Sequence, residues 1–327
     1  MPHRPRVLSG IQPTGSGKHL GNYLGAVRNW AQLQESSECF YFVADLHALT
    51  TTPDPAALRA NTRATVAELL AMGVDPGRSA LFLQSHVPEH TELAWVLGCL
   101  TGFGEASRMT QFKEKGGGNV GIFTYPILQA ADILIYRPQS VPVGEDQRQH
   151  LELTRDLAQR FNSRYGDTLT VPEPYVQSSA QRIKDLQNPA AKMSTSRGGP
   201  GTLWVIDDPK AITKKIKSAV TDTGRDVVAG PDKPGITNLL TILSVASGTA
   251  VPELESAYVG KGYGDLKGDV AAAVVALFAP VRERYADLIA DTPFLDGVLA
   301  DGAGRARAVA RETLAAVRER IGLLPPA

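Results

Sequence analysis

Apolar and polar positions change rhythm along the chain, and each change marks an element. The apolar run Val7 to Ile11 leads into the turn formers Gln12-Pro13-Thr14-Gly15-Ser16-Gly17. A helical spacing follows from about Asn22 to Leu33, with Leu24, Val27, Trp30, Ala31 and Leu33 available for one apolar side. Cys39 to Ala44 is continuously apolar and aromatic-rich, as a strand buried on both faces requires. Pro55 to Met72 reads as a helix with proline suited to its first turn. Ala80 to Gln84 then reads as a strand and Glu89 to Leu100 as a helix. The same alternation gives a helix around Ile127 to Tyr136, a strand at Ser140 to Val143 and a helix from Gln147 to Arg164. Strands alternating with helices of this length imply βαβ units on a parallel sheet.

Beyond Leu169 the rhythm changes. Pro172, Pro174, Pro189, Gly198, Gly199, Pro200 and Gly201 mark a loop-rich stretch. After it Ala211 to Val220, Ile236 to Ala246, Val251 to Tyr258, Leu266 to Ala290 (interrupted at Pro280) and Arg305 to Ile321 read as helices. No internal repeat is found. The fold class expected is α/β, a Rossmann-like parallel-sheet nucleotide-binding catalytic domain with a helical C-terminal domain. The catalytic domain would span 1–182, a linking loop 183–205 and the helical domain 206–300. A last helix over 301–327 would pack back on the first domain.

Composition narrows the function classes. The chain has 327 residues, with 34 Lys plus Arg against 34 Asp plus Glu. Balanced charge argues against a globally basic nucleic-acid binder but leaves room for a local stripe. Lys210, Lys214 and Lys217 fall on one helical face, with Lys215 beside them. The longest apolar stretch, Val270 to Pro280, falls short of the ~20 residues that span a bilayer. The basic start, Met1 to Arg6, has no apolar run behind it, so neither signal peptide nor membrane contact is expected. Cys39 and Cys99 lack metal-ligand spacing, and reduced thiols in a cytoplasmic protein is the simplest reading.

Three motifs are decoys. Gly15-Ser16-Gly17-Lys18 suggests a phosphate loop, but Gln12 stands where glycine is needed and His19 where Ser or Thr is needed. His86-Val87-Pro88-Glu89-His90 has the letters of an inverted zinc-protease motif. Pro88 disfavours the continuous helix such a site needs, so a surface strand-to-helix turn is expected and no metal site. Gly116-Gly117-Gly118 reads as a loop.

Three segments carry chemistry together. Ser9 to Gly15, with His19-Leu20-Gly21-Asn22 opening the first helix, offers backbone N–H groups and a positive helix end to a triphosphate. Val141-Pro142-Val143-Gly144-Glu145-Asp146-Gln147 ends a late strand, where open α/β sheets bind ligands. Asp146 and Gln147 suit ribose hydroxyls or an ammonium, although helix capping by Asp146 is the plainer role. Lys192-Met193-Ser194-Thr195-Ser196, followed by Arg197, places a cation and hydroxyls on an interdomain loop, suited to transient neutralisation of phosphate.

With these residues the chain resembles a class I aminoacyl-tRNA synthetase, within that class the bacterial tryptophanyl-tRNA synthetases. His19 to Asn22 looks like the HIGH signature and Lys192 to Ser196 like KMSKS. Met109 to Lys115, Gly144 to Phe161, Lys214 to Asp222, Lys233 to Ile236 and Gly260 to Gly264 extend the likeness in order over nearly the whole chain. The resemblance implies L-tryptophan, ATP with Mg²⁺ and tRNA-Trp as reactants, and a homodimer. It places Gln12, Pro13, Thr14, Gly21, Asn22, Gly144, Glu145 and Asp146 at ATP, with His19 at the phosphates. Lys192, Met193, Ser194, Thr195 and Ser196 would close over the pyrophosphate, with Lys115 a further cation, and the Ile183 backbone would meet the adenine. Asp132 would accept the indole N–H, with His47, Tyr125, Gln129, Val141, Val143 and Gln147 around it. Without the resemblance Asp132 reads as a solvent-facing residue of an amphipathic helix.

The sequence also departs from that pattern. Thr195 replaces the second lysine of KMSKS, with Lys115 or Arg197 as the expected compensating cation. Leu8 and the loop length before His19 differ as well. The spacing of Tyr125, Gln129 and Asp132 resembles that of tyrosyl-tRNA synthetases, so tyrosine is the alternative substrate. Two other classes stay open: a paralogue that binds tRNA in a regulatory role, and a small-substrate nucleotidyltransferase.

Overall fold

The computed structural model describes residues 4–15, 17–109, 118–142, 147–175, 183–195 and 198–324. Its sheet is five-stranded and parallel: β1 (Arg6–Ile11), β2 (Glu38–Val43), β3 (Ser79–Leu83), β4 (Ser140–Pro142) and β5 (Glu173–Tyr175). The strand order is β3-β2-β1-β4-β5. The chain therefore reverses its direction of travel between β1 and β4, and this is the switch point where a crevice opens outside the strand ends. β5, unforeseen because Pro172 and Pro174 read as loop, is an edge strand, where proline costs no interior ladder bond.

Alternate side chains of the central strands feed two cores. Val7, Cys39, Tyr41, Val43 and Leu81 face one core, and Leu8, Phe40, Phe42, Ala80 and Phe82 the other. That is why the strands read as unbroken apolar runs. Between β1 and β2 the helix α1 (Leu20–Asn22) continues through a π-helical turn, Tyr23–Val27, into α2 (Arg28–Leu33). α3 (Asp45–Ala48) and α4 (Pro55–Ala71) lie between β2 and β3, and the Asp54 carboxylate caps α4 by accepting from the Ala57 N–H.

α5 (Glu89–Leu100), α6 (Phe103–Ser107), α7 (Val120–Leu134) and α8 (Arg148–Tyr165) follow. α7 starts a full turn and more before the expected Ile127, because Asn119 caps it and Pro126 is accommodated inside. Pro126 and Ile127 are both buried, so packing holds the helix together across the missing N–H.

The helical half comprises α9 (Pro209–Lys217), α10 (Pro234–Ser247), α11 (Val251–Ala257), α12 (Tyr263–Ala290) and α13 (Thr292–Ile321). The expected break at Pro280 is absent: α12 runs through it, with Val274, Phe278 and Val281 buried on either side. α13 also begins earlier than Arg305, at an Asp291 cap followed by Pro293. Its far part crosses β3 so closely that a Cβ on Gly302 would collide with the Leu81 carbonyl. Arg318 with Glu92, and Arg307 and Arg311 with Glu89, tie α13 to α5. One continuous core joins β1 and β2 to α10 and α12. Cys39 and Cys99 are free thiols, the first buried and the second exposed. Among the described residues no single helix is long and apolar enough to cross a membrane.

Candidate active site

A cavity of about 470 Å³ opens at the switch point. β1 and its following loop contribute Leu8, Ser9, Gly10 and Gln12; the segment after β2 contributes Ala44 and His47. α7 contributes Tyr125, Gln129, Asp132 and Ile133, and Val141 and Gln147 come from β4 and the start of α8. A Cβ at Gly10 would run into the Phe42 ring, so glycine there is what lets that aromatic floor lie flat against β1. The fold thus brings together all six residues placed around the amino acid that lie in the described part: Asp132, His47, Tyr125, Gln129, Val141 and Gln147. Val143 lies outside the described residues.

Asp132 is 1% exposed, so the solvent-facing alternative is incorrect. α7 is apolar nearly all round, and its position between α5 and α8 buries both flanks. The carboxylate is held by three side chains. His47 Nε2 lies 2.8 Å from Oδ2 and His90 Nδ1 2.7 Å from Oδ1. Gln84 Nε2 donates to both oxygens at 2.9 Å. Burial alone would raise this carboxyl, but the hydrogen bonds from His47 and His90 outweigh it and hold it at about 2. Asp132 is an ionised acceptor at neutral pH.

His90 and Gln84 escaped the sequence reading. His90 belongs to the histidine pair expected on a surface turn; His86 is exposed as expected, but His90 is fully buried. With Nδ1 donating to Asp132, the other ring nitrogen meets the Tyr136 hydroxyl at 2.6 Å. Gln84 also accepts the His47 N–H, at 3.3 Å. The available signal was its place: a polar side chain closing a wholly apolar strand, at the carboxyl end where ligands bind. Beside this network Gln129 Nε2 donates to Gln147 Oε1 at 3.1 Å, and the Tyr125 hydroxyl meets His150 Nε2 at 2.8 Å.

The second part of the site is the start of α1. His19 is its N-cap: Nδ1 accepts the Asn22 N–H, and the Asn22 side chain accepts the His19 N–H, both at 3.2 Å. Burial, then the charges of Lys192 and Lys18, push the imidazole down to about 4. The ring is therefore neutral, with Nδ1 an acceptor and Nε2 left as a hydrogen-bond donor. Pro13 is buried, Thr14, Gly21 and Asn22 half-buried, and Gln12 exposed.

The signature loop is a tight hairpin. Met193 N–H donates to the Ile183 carbonyl at 3.1 Å, Asp185 N–H to Ala191 at 3.0 Å, and Lys184 pairs with Lys192. Met193 is a core residue that anchors the turn, while Lys192 is exposed and Ser194 and Thr195 are half-buried. Asn238, on α10, clasps the hairpin by accepting the Lys184 N–H at 2.8 Å and donating to its carbonyl at 3.0 Å. Immediately beyond the hairpin, Leu203 and Val205 exchange backbone bonds with Leu20 and Lys18, setting the signature segment against the first helix. Lys115, Gly144, Glu145, Asp146, Ser196 and Arg197 lie outside the described residues.

The family model for class I tRNA synthetases (W and Y) matches residues 2–279. A curated tryptophan–tRNA ligase 2 of Streptomyces avermitilis is 59% identical, over 98% of both chains. The tryptophan–tRNA ligase of Corynebacterium glutamicum is 56% identical over 98% of this chain and 95% of its own. The crystal structure of tryptophanyl-tRNA synthetase from Campylobacter jejuni, complexed with ADP and tryptophan, is similar with a TM-score of 0.87 at 36% identity. It covers 97% of this chain and 100% of its own. The Mycoplasma pneumoniae enzyme gives a TM-score of 0.88 at 38% identity, over 98% of each chain. The chain belongs to the class I tRNA synthetases for tryptophan and tyrosine, and within them to the bacterial tryptophanyl-tRNA synthetases.

Proposed function

We propose that the chain activates L-tryptophan with ATP and transfers it to tRNA-Trp. The observation that carries this is Asp132, an ionised and fully braced carboxylate in the wall of the switch-point cavity. An indole N–H is a donor only and matches such an acceptor. Phenylalanine would leave the carboxylate unpaired, which is the kind of loss that rejects a substrate strongly. Tyrosine also donates, so its exclusion rests on the shape of the cavity. The relatives named above, two of them tryptophan–tRNA ligases over half identical, favour tryptophan over tyrosine and over a regulatory paralogue.

In the first step a carboxylate oxygen of tryptophan attacks the α-phosphorus of ATP, and the bond to the bridging oxygen of pyrophosphate breaks. The nucleophile is already an anion, so no general base is needed. Positioning and stabilisation of charge on the departing pyrophosphate remain for the protein to supply. The arc of Gln12, Pro13 and Thr14, with Gly21 and Asn22, would receive ATP. His19 would donate to a phosphate from Nε2. Lys192, Ser194 and Thr195 would close from the hairpin, joined by Ser196, and the Ile183 backbone would meet the adenine. Mg²⁺ would enter on the ATP phosphates: it keeps much of its water shell, and its usual protein contribution is one or two carboxylates. Among the described residues there is no group of three or more metal-ligating side chains.

In the second step the tryptophanyl group passes from the adenylate to a hydroxyl of the terminal adenosine of tRNA, releasing AMP. The helical half would read the tRNA. Lys210, Lys214 and Lys217 line an open concavity on α9, suited to backbone phosphates, whereas Lys215 is engaged with Asp207 at 2.6 Å. Membership of the bacterial tryptophanyl-tRNA synthetases implies that the chain would work as a cytoplasmic homodimer. Charging of total bacterial tRNA with radiolabelled tryptophan tests the proposal: tryptophan should be accepted by a single isoacceptor, and failure to charge any tRNA would refute it.

A further inference from the structure

Lys18, immediately before His19, is only 2% exposed. Its ammonium donates to the Gln12 carbonyl at 2.9 Å and to Thr14 Oγ1 at 3.4 Å. These are the two ends of the arc assigned to ATP. Its carbonyl accepts the Val205 N–H at 2.9 Å, so the same residue also bonds to the segment leaving the signature hairpin. Beneath it lies Glu68 of α4, 1% exposed, whose carboxyl oxygens make no well-formed hydrogen bond, although the Lys18 backbone N–H is set against them. A Cβ on Gly17, which has φ +76°, would come within 2.6 Å of Glu68 Oε1, so the loop is folded directly onto this carboxylate.

Such an arrangement is expensive. A buried ammonium and a buried carboxylate without a well-formed hydrogen bond cost far more than two apolar side chains of the same size. Local costs of this kind are expected where function requires them. We propose that Lys18 is a positioning residue for the nucleotide: its ammonium, with Glu68 as counter-charge, holds the Gln12–Thr14 arc in the shape that receives ATP. The proposal rests on the reading of that arc as the ATP site. Lys18 does not touch substrate. It fixes the carbonyl of Gln12 and the hydroxyl of Thr14, so that the groups facing the nucleotide are already in place when it arrives.

The charges around the pair agree with this role. Burial lowers Lys18 to about 8, opposed by Glu68, and burial raises Glu68 to about 7, opposed by Lys18. The other ionisable groups acting here are His19 and Lys192 on the phosphate side, and Tyr285 of α12 behind Glu68. Deprotonating Lys18 removes the charge that strengthens its bonds to both ends of the arc, so ATP use should fall as pH rises through about 8.

The test compares the wild type with Lys18→Met and Glu68→Gln in tryptophan-dependent ATP–pyrophosphate exchange, with ATP binding measured by calorimetry alongside. Lys18→Met should raise the KM and Kd for ATP about tenfold or more, as loss of bonds from a charged donor does, and leave the KM for tryptophan within about twofold. Glu68→Gln should move the alkaline limb of kcat/KM for ATP to lower pH, because the ammonium loses the anion that favours it. A merely structural pair would lower the melting temperature of both variants without moving that limb. Unchanged ATP constants in Lys18→Met would overturn the proposal. Should that variant fail to fold, an unmoved limb in Glu68→Gln would overturn it instead. Absence of exchange in the wild type would contradict the ATP-activation reading, and ATP calorimetry on the same variants would still decide the role of Lys18.

Discussion

His90 Nδ1 donates to Asp132 Oδ1 over 2.7 Å, between two side chains that are both essentially without solvent exposure. The histidine opens α5, the aspartate sits late on α7, and neither position announces the other in sequence. Together with Gln84 and His47 this contact fixes the carboxylate that faces the cavity. His90→Phe should therefore raise the KM for tryptophan by about tenfold, the worth of one hydrogen bond to a charged group, with a smaller effect on kcat. Steady-state exchange kinetics check this, and His90→Gln, which retains a donor, should recover part of the loss. A change in kcat alone would show that His90 does not act through Asp132.

Asn238 gives a second prediction. Its amide satisfies both backbone groups of Lys184, and Lys184 is paired with Lys192 across the hairpin. Asn238→Leu leaves a half-buried N–H and C=O without their partner, at a cost of up to about 1–3 kcal/mol each. The KM for ATP should rise and exchange should slow by about tenfold, since the lysine is no longer held in register. The KM for tryptophan, whose cavity Asn238 does not line, should stay within about twofold. Kinetics on the purified variant decide the point.

His19 predicts an acid instability with a defined sign. Its folded-state value, about 4, lies below the ordinary 6.5 of an unfolded histidine. Between these values the unfolded chain binds the proton and the folded chain does not, so stability is lost as pH falls from about 6.5 to about 4. The contribution is about 3 kcal/mol. Glu68, raised to about 7, works in the opposite direction as pH falls from 7, so the total curve is not the readout. The readout is the difference between wild type and His19→Asn, which keeps a good N-cap. Urea melts at pH 7 and pH 4.5 should show the two curves converging at the lower pH.

The lysines of α9 concern the second step only. Lys210→Glu with Lys214→Glu should weaken tRNA charging and flatten its dependence on salt, each lost phosphate contact reducing the slope by about 1. Tryptophan-dependent exchange without tRNA should be unaffected. Loss of exchange would show instead that α9 supports the fold of the hairpin.

The parallel sheet was legible because its strands are buried on both faces and its helices keep a helical period between them. Element limits failed at proline. The expected helix begins only around Ile127, after Pro126, and another is interrupted at Pro280, yet each proline lies in a helix whose neighbours are buried, and packing outweighs the one missing hydrogen bond. The motif residues His19, Asn22, Lys192 and Asp132 were legible through resemblance to a family. Their supporting residues were not. Gln84, His90 and Asn238 act by bridging segments far apart in the chain, and single-sequence periodicity carries no such information. Lys18 was visible only as part of a failed phosphate-loop motif; its buried ammonium and the buried Glu68 emerge only from packing.

In the proposed reaction a tryptophan side chain fills the cavity beside Asp132 while its carboxylate meets ATP. ATP–pyrophosphate exchange by the purified wild-type chain, run separately with tryptophan, tyrosine and phenylalanine, tests it most directly. Exchange should be rapid with tryptophan, with at least about a hundredfold lower kcat/KM for the other two. Exchange that is as fast with tyrosine, or none with tryptophan, would contradict it.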